Sequence, residues 1–449
     1  MLRMVPLPME WGGAWLPDFA ISTDPAVQAQ LDRLTLLSPG ADILGLDRIT
    51  RLLARLGDPH RHLPPVFHVA GTNGKGSTCA YLRAAIEAAG LRAHVYASPH
   101  LVRFNERIRL AGTLIDDRAL AALLGEVLDA AAEIGASFFE ITTAAAFLAF
   151  ARTPADACVI EVGLGGRLDA TNVLPAPAIC GIAALGIDHE AFLGSSLVGI
   201  AAEKAGIAKP GVPVVTLAYP PEIAARIEAT VDAAGATPIA RGSAWEAVDG
   251  RYRDAMGTLD LPEPALTGVH QRDNLALAAA MLRHQSAVPV SDAAIRTAAS
   301  TARWPARMQR LRAGGPLTGR VDPRHGVWLD GAHNESAAIE VARGWPRITR
   351  GERSALVLGM LANKDAGAVL RHLGEVVDQV VAVPVPSHAH HAPADLVRQA
   401  RAMGLRGDVA TDPAAALDLL ARSEPESVLI AGSLYLAGTV LSANDEVPV

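Results

Sequence analysis

Lysine is nearly missing from this chain. Lys75, Lys204, Lys209 and Lys364 are the only four in 449 residues, so 36 of the 40 basic residues are arginine (40 − 4). Coding bias accounts for the scarcity, yet the positions are informative. Lysine supplies a compact point charge and an amine that can become neutral and be modified, whereas arginine supplies a planar fork that stays charged. Cysteine is also scarce. Cys79, Cys158 and Cys180 are odd in number and lack CxxC spacing, which argues against a disulfide framework and against a zinc site. Excess positive charge is absent: the net charge of −7 gives no bulk attraction to nucleic acid or an anionic membrane, so an anionic ligand needs a local site. Long apolar runs are absent as well. Pro6, Pro8, Glu10 and Pro17 interrupt Met1 to Phe19, so no signal peptide is expected there, and no stretch reads as a bilayer span. A cytoplasmic protein with small-molecule partners is the expectation.

The composition is globular, 50% hydrophobic and 19% charged, and the length calls for more than one core. Short β-rich runs alternate with Ala/Leu-rich stretches. Strands are predicted at 66–69, 93–96, 158–162, 179–187 and 212–215, with helices over 77–89, 120–134, 142–151 and 200–208. That alternation predicts a doubly wound, mostly parallel sheet. Residues 241–268, with Trp245 and Tyr252 amid Gly, Asp and Pro, predict small inserted antiparallel strands, followed by a helix over 274–282. Ala313-Gly314-Gly315-Pro316 breaks the pattern, and strands then recur at 327–329, 355–358, 380–383 and 428–430. The expected architecture is α/β: a P-loop domain over 1–312 and a smaller Rossmann-like α/β domain over 313–449.

The strongest motif is Gly71-Thr72-Asn73-Gly74-Lys75-Gly76-Ser77, between a predicted strand and a predicted helix. Backbone N–H groups and a helix N-terminus attract phosphate oxygens there, and Lys75 adds a point charge. The strict Walker spacing is not met, because Gly76 separates lysine from hydroxyl. Glu161-Val162-Gly163-Leu164-Gly165-Gly166 imitates a dinucleotide fingerprint but places Leu168 where the last glycine belongs. Glu161, at a parallel strand's carboxyl end near a phosphate loop, is placed to hold Mg²⁺. Asp188-His189 lies at another strand end, where His189 is open to a metal or phosphate role or to a structural one. Lys204 follows Glu203 on a helix and could be an ordinary paired surface lysine. Asp330-Gly331-Ala332-His333-Asn334 and Gly359 to Asp365 occupy strand-end loops of the second unit. His388, His390 and His391 read as a solvated loop.

Together these motifs resemble the folylpolyglutamate synthase / dihydrofolate synthase branch of the Mur ligase family over about residues 42 to 437. Leu44 to Ile49, Ser98-Pro99-His100-Leu101, Phe139-Glu140, Glu203 to Ile207, Asn274, Pro305-Ala306-Arg307 and Gly432-Ser433 also carry the resemblance. It implies ATP-dependent ligation of L-glutamate to dihydropteroate or to a tetrahydrofolate through an acyl phosphate, by a monomer acting with Mg²⁺, as two ions, and open to a monovalent cation. By the same resemblance Thr72, Asn73, Gly74, Lys75, Gly76 and Ser77 surround the phosphates. Ser98 and Glu161 hold one Mg²⁺, and His189 serves a second. Lys204 matches a lysine carried as a carbamate, a metal-binding anion that arginine cannot form. Asn274, Arg307, Asp330 and His333 match nucleotide contacts, and Lys364 and Asp365 a motif close to the active site. Glu335 replaces the usual proline after His-Asn, and the histidine loop lacks the expected basic residue. A cell-wall Mur ligase and a P-loop regulatory ATPase remain the alternatives.

Overall fold

A computed structural model describes residues 20–37, 44–423 and 425–449; the segment Met1 to Phe19 lies outside the described residues. The first sheet has eight strands: β1 (Val66–Ala70), β2 (Ala93–Tyr96), β3 (Ile108–Leu110), β4 (Thr113–Leu114), β5 (Ala157–Glu161), β6 (Ile179–Ile182), β7 (Pro213–Thr216) and β8 (Thr237–Ala240). Their order is β4-β3-β2-β5-β1-β6-β7-β8. β2, β5, β1, β6, β7 and β8 run parallel, and β3 and β4 are added antiparallel at one edge. Every residue of β1, β2, β5 and β6 is buried, as in a sheet covered on both faces. β1 lies between β5 and β6 at the point where the order reverses. In such sheets the crevice beyond the carboxyl ends of these strands is the ligand site. The phosphate-type loop, Glu161 and Asp188 all emerge there.

Three antiparallel strands, β9 (Trp245–Val248), β10 (Arg251–Asp254) and β11 (Gly257–Asp260), form the small predicted sheet. Trp245 stacks on Tyr252 with ring centroids 5.6 Å apart. Arg283, at the end of the helix Gln271–Arg283, binds the buried Asp254 at 2.9 Å and ties this sheet to the first core.

The second large sheet comprises β12 (Gln309–Arg310), β13 (Gly326–Leu329), β14 (Ser354–Leu358), β15 (Gln379–Ala382), β16 (Arg406–Val409) and β17 (Ser427–Ala431), ordered β12-β13-β17-β14-β15-β16. Only β12 is antiparallel to its neighbour. This sheet takes in Gln309–Arg310, ahead of the glycine-rich break at 313–316. The two units pack closely. A Cβ on Gly438, in the helix Leu434–Ala443, would lie 1.8 Å from the Leu101 carbonyl oxygen of the first unit.

Element boundaries differ from the sequence reading in one informative place. The run 179–187 is strand only to Ile182. Beyond it the Ala184 carbonyl leaves the ladder and accepts the N–H groups of Thr72 and Asn73 at 2.8 and 3.1 Å. The segment's hydrogen bonds turn to the phosphate-type loop, Ala184 and Leu185 are half-buried, and Ile187 at its end is exposed.

Candidate active site

The loop after β1 is closed by glycines. Gly71 and Gly74 have φ of 151° and 82°, and Gly74 caps the helix Lys75–Ala88. A Cβ on Gly74 would sit 2.4 Å from Asn274 Oδ1, and one on Gly76 2.5 Å from Trp304 Nε1. This gives the extra glycine between Lys75 and Ser77 a reason: the indole of Trp304 occupies the space a side chain would need. Lys75 Nζ donates to the carbonyls of Gly71 (3.1 Å) and Thr72 (3.2 Å). Ser77 is buried, and its hydroxyl lies 3.2 Å from Gln271 Nε2, while Asn274 Nδ2 donates to Gln271 Oε1 at 3.1 Å. Gln271 is a residue that sequence reasoning missed; its offset of three from Asn274 on one helix was the available signal.

Glu161 ends β5 fully enclosed. Burial pushes its pKa up, while Lys75, Arg307 and a backbone hydrogen bond from Ser98 pull it down. Expected members from the first unit and from the linker to the second therefore surround one carboxylate. Arg307 also donates to the Ala306 carbonyl at 2.8 Å. It stands in a linker where Ala306 and Met308, both buried, hold φ of 53° and 44°. Left-handed conformations are unfavourable for such side chains and persist where the surroundings enforce them. Asp330 enforces one side: its Oδ2 accepts the Met308 N–H at 2.7 Å and its Oδ1 the Ala332 N–H at 2.8 Å.

Lys204 is buried, with 4% exposure, so the ordinary-surface alternative is overturned. Its expected partner Glu203 binds Arg167 at 2.8 Å. Lys204 Nζ donates instead to the Gly71 carbonyl at 3.0 Å, the same oxygen that Lys75 uses. Burial, and secondarily the charge of Lys75, lower its pKa to about 7. Lys209, the lysine without an assigned role, is tied to the Asn172 carbonyl at 2.9 Å.

Asp188 is the junction between the units. It accepts from Asn334 Nδ2 at 2.9 Å, lies 3.2 Å from His333 Nε2 and pairs with Lys364 Nζ. Burial alone would raise its pKa, but His333, His189 and Lys364 hold it well below the usual carboxylate range. Sequence reasoning quoted Asp188 without giving it a role; partners more than 140 residues away leave no local signal. His189 adjoins it at φ 53°, and burial lowers its pKa to about 3, which keeps the ring neutral. Asn73 Nδ2 adds bonds to Asn334 Oδ1 (3.1 Å) and Ser336 Oγ (2.7 Å). Asp365 caps the helix Ala366–Leu373 through the Ala368 N–H at 2.9 Å.

Other motifs converge here. Phe139 covers Gly163, where a Cβ would be 2.3 Å from the ring. Glu140 binds Arg48 at 2.9 Å, linking the Leu44 to Ile49 motif to this wall. Glu335 opens the helix Glu335–Thr349, a position where an acidic group suits the helix dipole. The histidine loop is not simply solvated. His388 stacks on Tyr435 with centroids 3.8 Å apart, and His391 Nε2 lies 2.8 Å from the Lys364 carbonyl.

Residues 317–443 match the family described as dihydrofolate synthetase, C-terminal domain. The chain is 34% identical over 407 residues to the Escherichia coli dihydrofolate synthase/folylpolyglutamate synthase, covering 90% of this chain and 92% of that protein. The chain belongs to the folylpolyglutamate synthase / dihydrofolate synthase family. Its fold superposes with a TM-score of 0.84 on Escherichia coli FolC in complex with DHPP and ADP, at 32% identity over 94% of this chain and 98% of that one. A bifunctional folylpolyglutamate synthase/dihydrofolate synthase with Mn, AMPPNP and L-glutamate bound gives 0.81 at 31% identity over the same shares. Both large α/β units of this chain therefore belong to the family's architecture, with this chain's Gly71–Ser77 loop at the crevice between them.

Proposed function

We infer that the chain is an ATP-dependent ligase that joins L-glutamate to dihydropteroate, to a (poly)glutamyl tetrahydrofolate, or to both, releasing ADP and phosphate. The observation that carries this reading is Asp188. Beside the Lys75 loop it gathers His333, Asn334 and Lys364 from the second unit, an arrangement that a regulatory ATPase does not need. Ser98-Pro99-His100-Leu101 together with Glu161 to Arg167 favours the folate branch over a cell-wall substrate.

The donor set fits Mg²⁺. Glu161 and Ser98 are hard oxygen donors, and no group of three His, Cys, Asp or Glu gathers for a metal among the described residues. Mg²⁺ shared with phosphates needs only one or two carboxylates. When bound, the ion neutralises phosphate charge during transfer. Glu161 and Ser98 would hold one ion; His189, neutral and able to ligate, and Lys204 as a carbamate would hold a second. A monovalent cation is compatible with this reading. Lys75 faces the phosphates together with the amides of Gly74 and Gly76 and the Ser77 hydroxyl, while Thr72 and Asn73 complete the loop with their own amides held by the Ala184 carbonyl. Asn274, Arg307 and His333 contact the nucleotide. Asp330 uses two acceptor positions for backbone amides and keeps its others for the ribose.

In the first transfer a pterin carboxylate oxygen bonds to the γ-phosphorus as the bond to ADP breaks. The amine nitrogen of glutamate then attacks the acyl carbon, loses a proton, and phosphate leaves. Lys75 and Arg307 stabilise charge on the transferring oxygens. We assign the division between the units to the stretch between the helix Asp292–Thr301 and β12, and read the protein as a cytoplasmic monomer.

The test is product analysis with dihydropteroate and tetrahydrofolate run side by side, with glutamate and ADP release measured in each. Glutamate-dependent ADP release with either pterin supports the reading. Turnover with a muramyl nucleotide instead, or hydrolysis indifferent to every acceptor, overturns it.

A further inference from the structure

One buried polar chain beneath the site has no part in the roles above. His68 sits in the middle of β1, wholly buried in a strand otherwise built of Val, Phe and Ala. Its Nε2 lies 2.9 Å from Thr171 Oγ1. That hydroxyl is 2.5 Å from Asp169 Oδ1, which also accepts the Thr171 N–H at 3.0 Å. Asp169 Oδ2 accepts the Leu164 N–H at 2.8 Å, and the Gly163 amide also bonds this carboxylate.

The proton positions follow. Burial pushes the Asp169 carboxyl up, but four donors fill the acceptor capacity of a carboxylate, and that geometry fits Asp169 as the anion. The Thr171 proton points to it, and Thr171 can then only accept from the imidazole. His68 must carry its hydrogen on Nε2. Nδ1 is left bare, and it is indeed buried without a partner among the described residues. Burial lowers the His68 pKa to about 3, so the ring does not change state at a working pH.

The far end of this chain is the glycine loop. Gly163, Leu164 and Gly165 line the crevice opposite Lys75 and Lys204. We propose that His68, Thr171 and Asp169 form a positioning relay that fixes the Gly163–Gly165 loop as one wall of the phosphate site. The relay rests on the nucleotide-binding part of the function proposed above. His68 acts through Thr171 and Asp169 and touches no reacting atom. An aliphatic side chain at 68 would fill the strand but leave the Thr171 hydroxyl free to rotate away from Asp169, and the loop amides would lose their fixed anchor.

The experiment compares His68→Leu with His68→Gln, and Thr171→Val with Thr171→Ser, by calorimetric Mg-ADP binding, by KM for ATP against kcat, and by melting midpoint. The Gln and Ser variants keep the donor and the hydroxyl. We expect Leu and Val to weaken Mg-ADP about tenfold and raise KM more than they lower kcat, in line with residues that orient ligand-holding groups. Gln and Ser should stay within about threefold of wild type on the same grounds. Unchanged Mg-ADP affinity in folded His68→Leu and Thr171→Val overturns the relay, whatever their midpoints do. If His68→Leu does not fold, the Thr171 pair decides alone. A wild-type protein that binds Mg-ADP but ligates neither pterin removes the ligase reading and leaves the relay to be judged on affinity. A wild-type protein that binds no Mg-ADP overturns both.

Discussion

Lys204→Met provides a test of the most unusual electrostatic feature of the site. Lys204 shares the Gly71 carbonyl with Lys75 and has no carboxylate in hydrogen-bond contact among the described residues. Burial first, and Lys75 second, move its pKa from 10.5 to about 7. The chemical consequence is large. At pH 7.5 an amine with pKa 10.5 is neutral in roughly one molecule per thousand, whereas one with pKa about 7 is neutral in roughly three quarters. Only the neutral amine can add CO₂ and become a carbamate.

The same displacement has a stability side, with a defined sign. The unfolded chain binds this proton up to pH 10.5 and the folded chain only to about pH 7. The unfolded state therefore holds more protons between those values, and stability rises with pH across that window. Below pH 7 Lys204 is charged in both states and its burial penalty is fully present. At about 1.4 kcal/mol per tenfold, that penalty is on the order of 4–5 kcal/mol. In CO₂-free buffer without ligands, Lys204→Met should melt above wild type by several degrees at pH 6.5, and the gap should close as pH rises towards 10. Bicarbonate with Mg²⁺ should raise the wild-type midpoint only, and ¹³C-labelled bicarbonate should give a carbamate resonance that Lys204→Met lacks. Turnover should be lost in the variant, with partial rescue by short carboxylic acids. A melting gap independent of pH would refute the burial argument. Full activity in unrescued Lys204→Met would refute the carbamate.

Lys75→Ala should lower kcat by about 10³-fold or more, read from ADP release, because its charge is used in phosphoryl transfer. Gly76→Ala should destabilise by roughly 1–3 kcal/mol, since its Cβ meets Trp304 Nε1 at 2.5 Å and the indole must move. A red or blue displacement of tryptophan emission together with a lower denaturant midpoint would show this, and wild-type values for both would contradict the packing. Asp188→Asn should weaken the union of the two units and lower kcat/KM by about 10- to 100-fold, because the half-buried Lys364 loses its counter-charge and His333 the carboxylate beside it. Small-angle scattering should report a more open average shape in that variant, and unchanged scattering with unchanged kinetics would dismiss the junction.

Where the chemistry is local in sequence, it was legible. A strand, a glycine pair, a lysine and a hydroxyl within a dozen residues form the loop after β1, because backbone amides and helix N-terminus are themselves local devices. The second sheet and the small antiparallel insert were legible from alternation and from Trp245 and Tyr252. Lys204 was legible as an exception in an arginine-rich chain, but its burial was not. That depends on the helix Leu197–Ala205 packing against the loop after β1, 133 residues earlier. Asp188 and Lys209 were illegible as site or anchor residues for the same reason, since each is defined by a partner that only the fold supplies, and Gln271 offered only its spacing from Asn274.

The linker shows why the two kinds of information meet. Pro305-Ala306-Arg307 reads as a motif, and the sequence offers no reason for alanine and methionine to adopt positive φ on either side of the arginine. The fold offers one. Trp304 is pinned against Gly76, Asp330 takes the Met308 amide, and the Gly331 N–H bonds the Ala306 carbonyl at 3.0 Å. These contacts come from both units and hold the unfavourable backbone in place. Arg307 then reaches the surroundings of Glu161, a carboxyl that burial pushes up and whose rise Lys75 and Arg307 offset only in part. Joining the units is thus itself an electrostatic step. It brings a guanidinium to the one carboxylate that must stay ionised to hold a cation beside Lys75, and the same closure places Lys364 and His333 on Asp188.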